Sequence, residues 1–157
     1  MLVGMPACGK STVGKLLAAK LGRTFCDLDE EIVKLAGMPI PEIFATKGEA
    51  AFRDLEAQAA AQASLHGSLV IATGGGAILR DDNVTALKRN GRLYFIDRPL
   101  EQLLPTEDRP LASSAEAIRR RYEERYDRYC SVADVRIPVP GDAELVAQTI
   151  EKEFLSH

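Results

Sequence analysis

Apolar and polar residues follow two alternating rhythms along this chain. Between Lys10 and Leu21, Val13, Leu16, Leu17, Ala19 and Leu21 recur at helical intervals, and Gly22 is a stop. Thr24-Phe25-Cys26-Asp27-Leu28-Asp29 reads as a strand running into two acids. A short helix is expected over 30–36, closed by Gly37, with Pro39 or Pro41 opening the next turn. A longer helix over 49–65 places Phe52, Leu55, Ala59 and Ala63 on one face.

Ser68-Leu69-Val70-Ile71-Ala72-Thr73 is a continuous apolar run, as a parallel strand buried on both faces requires. The pattern then predicts a helix over 83–89, a buried strand over 93–96 and a helix over 115–132. A weaker strand over 134–137 and a closing helix over 143–154 follow, the helix carrying Val146, Ile150 and Phe154 on its apolar stripe. Leu2 and Val3 form the end of a short first strand. Strands alternating with helices imply a parallel sheet with right-handed crossovers, an α/β fold in three layers. No linker, repeat or low-complexity stretch interrupts it, so one domain over 1–157 is expected. Ligands in such folds sit at the carboxyl ends of the strands, which makes the residues there the candidates for chemistry.

The first such stretch is Gly4-Met5-Pro6-Ala7-Cys8-Gly9-Lys10-Ser11, followed by Thr12. It has the spacing of a phosphate-binding loop, in which successive backbone N–H groups and a helix N-terminus converge on an anion. Lys10 would reach the β- and γ-phosphates of a nucleotide, and the Ser11 hydroxyl would bind Mg²⁺. Asp27 and Asp29 end the second strand, where alternation would put both on one face. A nearby Mg²⁺ would keep both ionised, with Asp27 acting through water. Asp29 could face an acceptor hydroxyl, or simply cap a helix.

Arg53 and Glu56 stand one helical turn apart, and spacing alone favours a surface ion pair. Gly74-Gly75-Gly76 follows the buried apolar run; three glycines there suggest close approach of a ligand or of another backbone. Thr106-Glu107-Asp108-Arg109-Pro110-Leu111 is polar and connects two periodic segments, so it reads as a lid whose Arg109 could close over a transferring phosphate. The helix over 115–132 carries Arg119, Arg120, Arg121, Arg125 and Arg128, mostly a solvated face, and periodicity does not single one out.

Composition narrows the partners. The chain has 157 residues, 46% hydrophobic and 27% charged, with net charge −3. No bulk positive field recommends nucleic acid or a membrane surface. Three cysteines without Cys-x-x-Cys spacing and two histidines supply a zinc site poorly. Free thiols in a reducing cytoplasm are expected, and no apolar run approaches membrane-spanning length. Met1 leads directly into the loop, so no signal peptide is expected. Cys8, at a helix N-terminus, is a candidate redox switch.

Taken together, these motifs resemble the shikimate kinases, small P-loop kinases that phosphorylate the 3-hydroxyl of shikimate on the way to aromatic amino acids. The likeness runs nearly end to end. Its marks are the loop at Gly4 to Thr12 and the pair Asp27 and Asp29. Phe44-Ala45-Thr46-Lys47-Gly48-Glu49-Ala50-Ala51-Phe52-Arg53-Asp54-Leu55-Glu56 and Ala72-Thr73-Gly74-Gly75-Gly76 follow. Arg109-Pro110-Leu111, and Glu124-Arg125 with Tyr129, complete the set.

The resemblance implies a five-stranded parallel sheet, order 2-3-1-4-5, of the nucleoside-monophosphate-kinase-like type. Substrate-binding helices would lie at about 30–60 and a lid at about 104–114. It also implies ATP phosphates on Ala7, Cys8, Gly9, Lys10, Ser11 and Thr12, with Mg²⁺ on Ser11 and, through water, Asp27. Shikimate would meet Asp29, which orients or deprotonates the attacking hydroxyl, together with Arg53, Gly75 and Arg125. Arg109 would bridge to ATP. Lys10, Asp29 and Arg109 would be the catalytic residues of a cytoplasmic monomer whose partners are shikimate and ATP. The neighbouring alternatives are a P-loop kinase for another small hydroxy acid such as gluconate, and a nucleotide-binding module without transfer activity.

Overall fold

A computed structural model of the chain describes residues 1–103, 114–139 and 142–157. Five strands form one parallel sheet in the order β2-β3-β1-β4-β5. They are β1 (Leu2–Val3), β2 (Thr24–Asp27), β3 (Leu69–Ala72), β4 (Tyr94–Asp97) and β5 (Val135–Pro138). β1 is short, but it is central: Leu2 is in register with Ala72 on one side and Tyr94 on the other. The Thr73 hydroxyl donates to the Leu2 carbonyl at 3.0 Å, extending that junction past the end of β3.

The helices are α1 (Lys10–Leu21), α2 (Leu28–Ala36), α3 (Ile40–Ser64), α4 (Asp81–Lys88), α5 (Ala115–Val132) and α6 (Ala143–Leu155). Neighbouring residues of β4 show the layering. Tyr94 hydrogen-bonds Glu153 of α6, whereas the next ring, Phe95, stacks on Tyr129 of α5 at 5.0 Å between centroids. Successive strand residues point to opposite faces, so α6 and α5 cover different sides. α1 packs on α6, and α3 packs on α2 and α4.

Local chemistry accounts for the element ends. Gly22 and Gly37 close α1 and α2 in the left-handed conformation. Ser114 and Asp142 cap α5 and α6, accepting from Ala117 N–H at 3.1 Å and Leu145 N–H at 2.9 Å.

Two sequence expectations need correction. The second strand does not reach Asp29: the chain turns helical at Leu28, and Asp27 is the cap of α2, accepting the Asp29 N–H at 2.9 Å. Strand alternation therefore does not place the two acids, and the capping acid is Asp27. The turn expected at Pro39 or Pro41 is a helical stretch beginning at Ile40. It meets the longer helix across Gly48, whose φ of 84° and ψ of 172° break the helix between them. Pro39 stands at the cap, and Pro41 lies in the first turn, where a missing N–H costs nothing.

Candidate active site

The phosphate-binding spacing folds as a loop between β1 and α1, with positive φ at Gly4 (153°), Ala7 (64°) and Gly9 (97°). A side chain on Gly4 would meet Ile96 O at 2.8 Å and Cys8 Sγ at 2.9 Å, so the loop admits none there. Lys10 is nearly fully buried, and its Nζ donates to Gly4 O at 2.8 Å and Met5 O at 2.9 Å. Ala7, Cys8 and Gly9 lie in the loop, while Ser11 and Thr12 stand in the first turn of α1.

Asp27 and Asp29 serve different sides of the cleft. Ser11 Oγ donates to Asp27 Oδ2 at 3.0 Å, which puts a hydroxyl and a carboxylate together beside the loop. That all-oxygen pair suits Mg²⁺, which keeps several waters and takes few protein ligands. Among the described residues, no group of three or more His, Cys, Asp or Glu forms a metal cluster of its own. Asp29 instead faces the glycine run: a Cβ on Gly74 would stand 3.1 Å from Asp29 Oδ1 and 2.9 Å from Glu56 Oε2.

The Arg53–Glu56 pair is not a surface ion pair. Phe52 and Ala59 pack into the core, and α3 carries Arg53 and Glu56 inward with them, leaving Arg53 9% and Glu56 1% exposed. Arg53 Nη1 donates to Glu56 Oε1 at 2.9 Å, and Nη2 lies 3.6 Å from Glu49 Oε1. Glu56 Oε2 is buried without a hydrogen-bond partner among the described residues. Burial pushes the Glu56 carboxyl above the usual range; the charge and hydrogen bond of Arg53 oppose this, and the nearby Asp29 charge adds to it.

Of the arginines on α5, the fold selects Arg125, which is buried at 4% exposure. Desolvation lowers its pKa, the Tyr129 phenol works against that, and the Arg53 charge reinforces it. Two guanidinium groups thus share a desolvated region with the buried Glu56 carboxylate, while Asp29 and the more exposed Glu49 stand close by. Planar guanidinium forks suit a carboxylate bound in two-point contact.

The glycine run is tightly enclosed. A Cβ on Gly76 would overlap Arg53 Nη1 at 2.3 Å, and one on Gly75 would meet Pro6 of the phosphate loop at 2.7 Å. The Tyr129 hydroxyl donates to the Gly75 carbonyl. Gly75 therefore stands between the loop and α5. Lys10, Ser11, Asp27, Asp29, Arg53, Gly75 and Arg125, scattered in sequence, gather at one end of the sheet, past the carboxyl ends of β1, β2 and β3. Arg109 and the lid around it lie outside the described residues.

Three further side chains were not evident from pattern. Pattern along the chain leaves Glu56 in a surface ion pair with Arg53, gives Tyr129 only as part of a signature, and does not single out Arg98. Arg98 follows the buried run of β4, and the strand-end rule applied there would have found it.

The cysteines sort by burial: Cys8 buried, Cys26 intermediate, Cys130 exposed. Burial, with the Glu31 and Asp27 carboxylates adding to it, pushes the Cys26 thiol up to about 11. Thiol labelling at about pH 8 is expected to modify Cys130 first and Cys26 on the order of tenfold or more slowly, with the buried Cys8 last, reacting only as the loop opens locally or the chain unfolds. Peptide mapping over time reads this order. Cys8 labelled as fast as Cys130 in the folded protein would restore the redox reading.

The chain is similar to known proteins along most of its length. The family profile described as shikimate kinase matches residues 6–154. A shikimate kinase of Clostridium beijerinckii is 42% identical over 138 residues, covering 85% of this chain and 81% of that relative. The solved shikimate kinase of Acinetobacter baumannii in complex with shikimate superposes with a TM-score of 0.93. That structure is 36% identical, with 99% of this chain and 91% of that chain covered. A gluconokinase from Sinorhizobium meliloti shares only the fold, at a TM-score of 0.60 and 18% identity.

Proposed function

The chain belongs to the shikimate kinase family and phosphorylates shikimate; from that premise we propose how its residues divide the work. ATP is the donor, and its phosphates lie along Ala7, Cys8, Gly9, Lys10, Ser11 and Thr12. The loop's backbone N–H groups and the start of α1 favour negative charge there. Lys10 moves from the loop carbonyls to the phosphates as they arrive. Ser11 and Asp27, the latter through water, would hold Mg²⁺, which when bound neutralises charge on the donor phosphates.

The acceptor side is built for a hydroxylated carboxylate. Arg53 and Arg125 bind the shikimate carboxylate, and Glu56 aims Arg53 while offsetting part of the charge. Asp29 orients the 3-hydroxyl and accepts its proton, and the Gly75 backbone N–H closes the contact. Arg109 bridges to ATP from the lid. The hydroxyl then attacks the γ-phosphoryl in line, with catalysis resting on position and charge rather than on a covalent intermediate.

The observation that supports this reading is the buried pair Arg53 and Arg125 beside the glycine run and the buried Glu56. The identity to shikimate kinases over most of the chain, against a fold-level likeness to gluconokinase, disfavours gluconate as the acceptor. Among the described residues no helix is long and apolar enough to cross a membrane; a cytoplasmic monomer remains our expectation. Coupled detection of ADP release should show turnover with shikimate and little with gluconate. No shikimate-dependent release from folded protein, with ATP and Mg²⁺ present, would sink the assignment.

A further inference from the structure

One cation at the carboxyl end of β4 has no role in the assignments above. Arg98 directly follows Asp97, and its side chain turns back onto the phosphate loop. Nε donates to Cys8 O at 3.1 Å, linking residues 90 apart in the chain. Nη2 lies 3.5 Å from the position that a Cβ on Gly9 would take. Among the described residues Arg98 forms no ion pair.

The neighbouring residue fixes the backbone from which Arg98 reaches. Asp97 is 7% exposed. Its Oδ2 accepts from Tyr126 Oη at 2.8 Å and from Arg136 Nε at 2.5 Å, which ties the end of β4 to α5 and β5.

The loop needs such support. Ala7 and Gly9 both have positive φ, and Ala7 is not a glycine. Backbone of this kind persists only where its surroundings over-determine it. Cys8 lies between the two. In a nest the N–H groups turn toward the anion, and a carbonyl among them needs a donor from elsewhere. Arg98 supplies that donor to Cys8. Lys10 Nζ donates to two other carbonyls of the loop, Gly4 O and Met5 O.

We propose that Arg98 is a positioning residue for the phosphate loop: by holding the Cys8 carbonyl it keeps the loop in the shape that receives the donor phosphates. The inference rests on the reading of this loop as the ATP site. Its effect falls on the nucleotide and not on shikimate, because among the described residues the Arg98 side chain meets the loop at Cys8 and Gly9.

The test uses the full chain with Arg98→Met, which keeps length and removes donor and charge, and Arg98→Lys, which keeps the charge and an N–H donor group but not the planar fork. ADP with Mg²⁺, and separately shikimate, are titrated by calorimetry, and Cys8 labelling is followed by peptide mapping. Arg98→Met is expected to weaken ADP binding on the order of tenfold or more. Shikimate affinity should stay within about twofold, because the acceptor cluster keeps all its partners. Cys8 should label faster as the loop loosens, and Arg98→Lys should recover most of both losses. ADP affinity within about twofold of the parent in Arg98→Met would overturn the inference. So would weaker ADP binding with unchanged Cys8 labelling, which would assign Arg98 to direct contact with the nucleotide. If Arg98→Met does not fold, Arg98→Lys alone decides: it should show a smaller loss confined to ADP, and an equal loss for shikimate would overturn the proposal. A parent protein that fails to bind ADP would overturn the reading of the loop itself, an outcome separate from an unaffected variant.

Discussion

Replacing Arg53 with alanine is expected to weaken shikimate binding on the order of a hundredfold while leaving ADP binding within about twofold. Arg53 is one of two buried guanidinium groups at the acceptor side and has no contact with the phosphate loop among its hydrogen bonds and ion pairs. The same change strands Glu56, 1% exposed and held by Arg53 Nη1 at 2.9 Å. Breaking a buried pair from one side costs about 3 kcal/mol, roughly 10 °C in melting temperature for a domain of this size.

The cost should depend on pH in a definite direction. The folded pKa of Glu56 is already raised, chiefly by burial, and losing Arg53 raises it further. A carboxyl whose folded pKa exceeds its unfolded value favours the folded state when protonated. Its penalty grows as pH rises from the unfolded value through the folded one. The gap in melting temperature between parent and Arg53→Ala should therefore widen from about pH 5 to about pH 8. Adding Glu56→Gln should close most of that gap without restoring shikimate affinity. Recovery of shikimate binding in the double variant would mean that Arg53 serves the fold and not the substrate.

Lys10→Met should reduce turnover about a thousandfold, the scale expected when a charge aimed at a transferring phosphoryl group is removed. Lys10 is 4% exposed, and its Nζ spans the loop from Gly4 O to Met5 O. Methionine keeps the length and loses the charge and donors, so the two carbonyls must find other partners at about 1–2 kcal/mol in stability. ADP binding should fall on the order of tenfold, and shikimate binding should persist. Single-turnover measurement with saturating substrates separates chemistry from binding. Turnover within about tenfold of the parent would remove Lys10 from the catalytic set.

Much of this architecture could be read along the chain. The periodic helix over Lys10–Leu21, the buried run of β3 and the amphipathic stretch of α5 each carry their own pattern, and each folds with bounds at or near those expected. The misreadings fall at junctions. Asp27-Leu28-Asp29 alternates as a strand would, but the cap at Asp27 starts a helix one residue later. The helical stretch 40–47 is not legible along the chain, because prolines such as Pro39 and Pro41 are as common in turns as at helix starts and Gly48 breaks its continuity with the rest of α3. The arginines of α5 look alike in sequence; only packing against β4 and the glycine run buries Arg125.

The sequence by itself determined the donor side and the order of elements. Loop spacing is local: glycines, lysine and serine within a single turn of chain specify a phosphate nest. Strands that alternate with helices leave few topologies once crossovers are right-handed. The tertiary structure decided how the acceptor side is built. It turned Arg53 and Glu56 from an expected surface pair into a buried one, brought Arg125 beside them, sent Asp27 to Ser11 and Asp29 toward Gly74, and laid Arg98 against Cys8. Desolvation and charge pairing depend on which distant segments pack around a residue, and no pattern within one helix or strand carries that information.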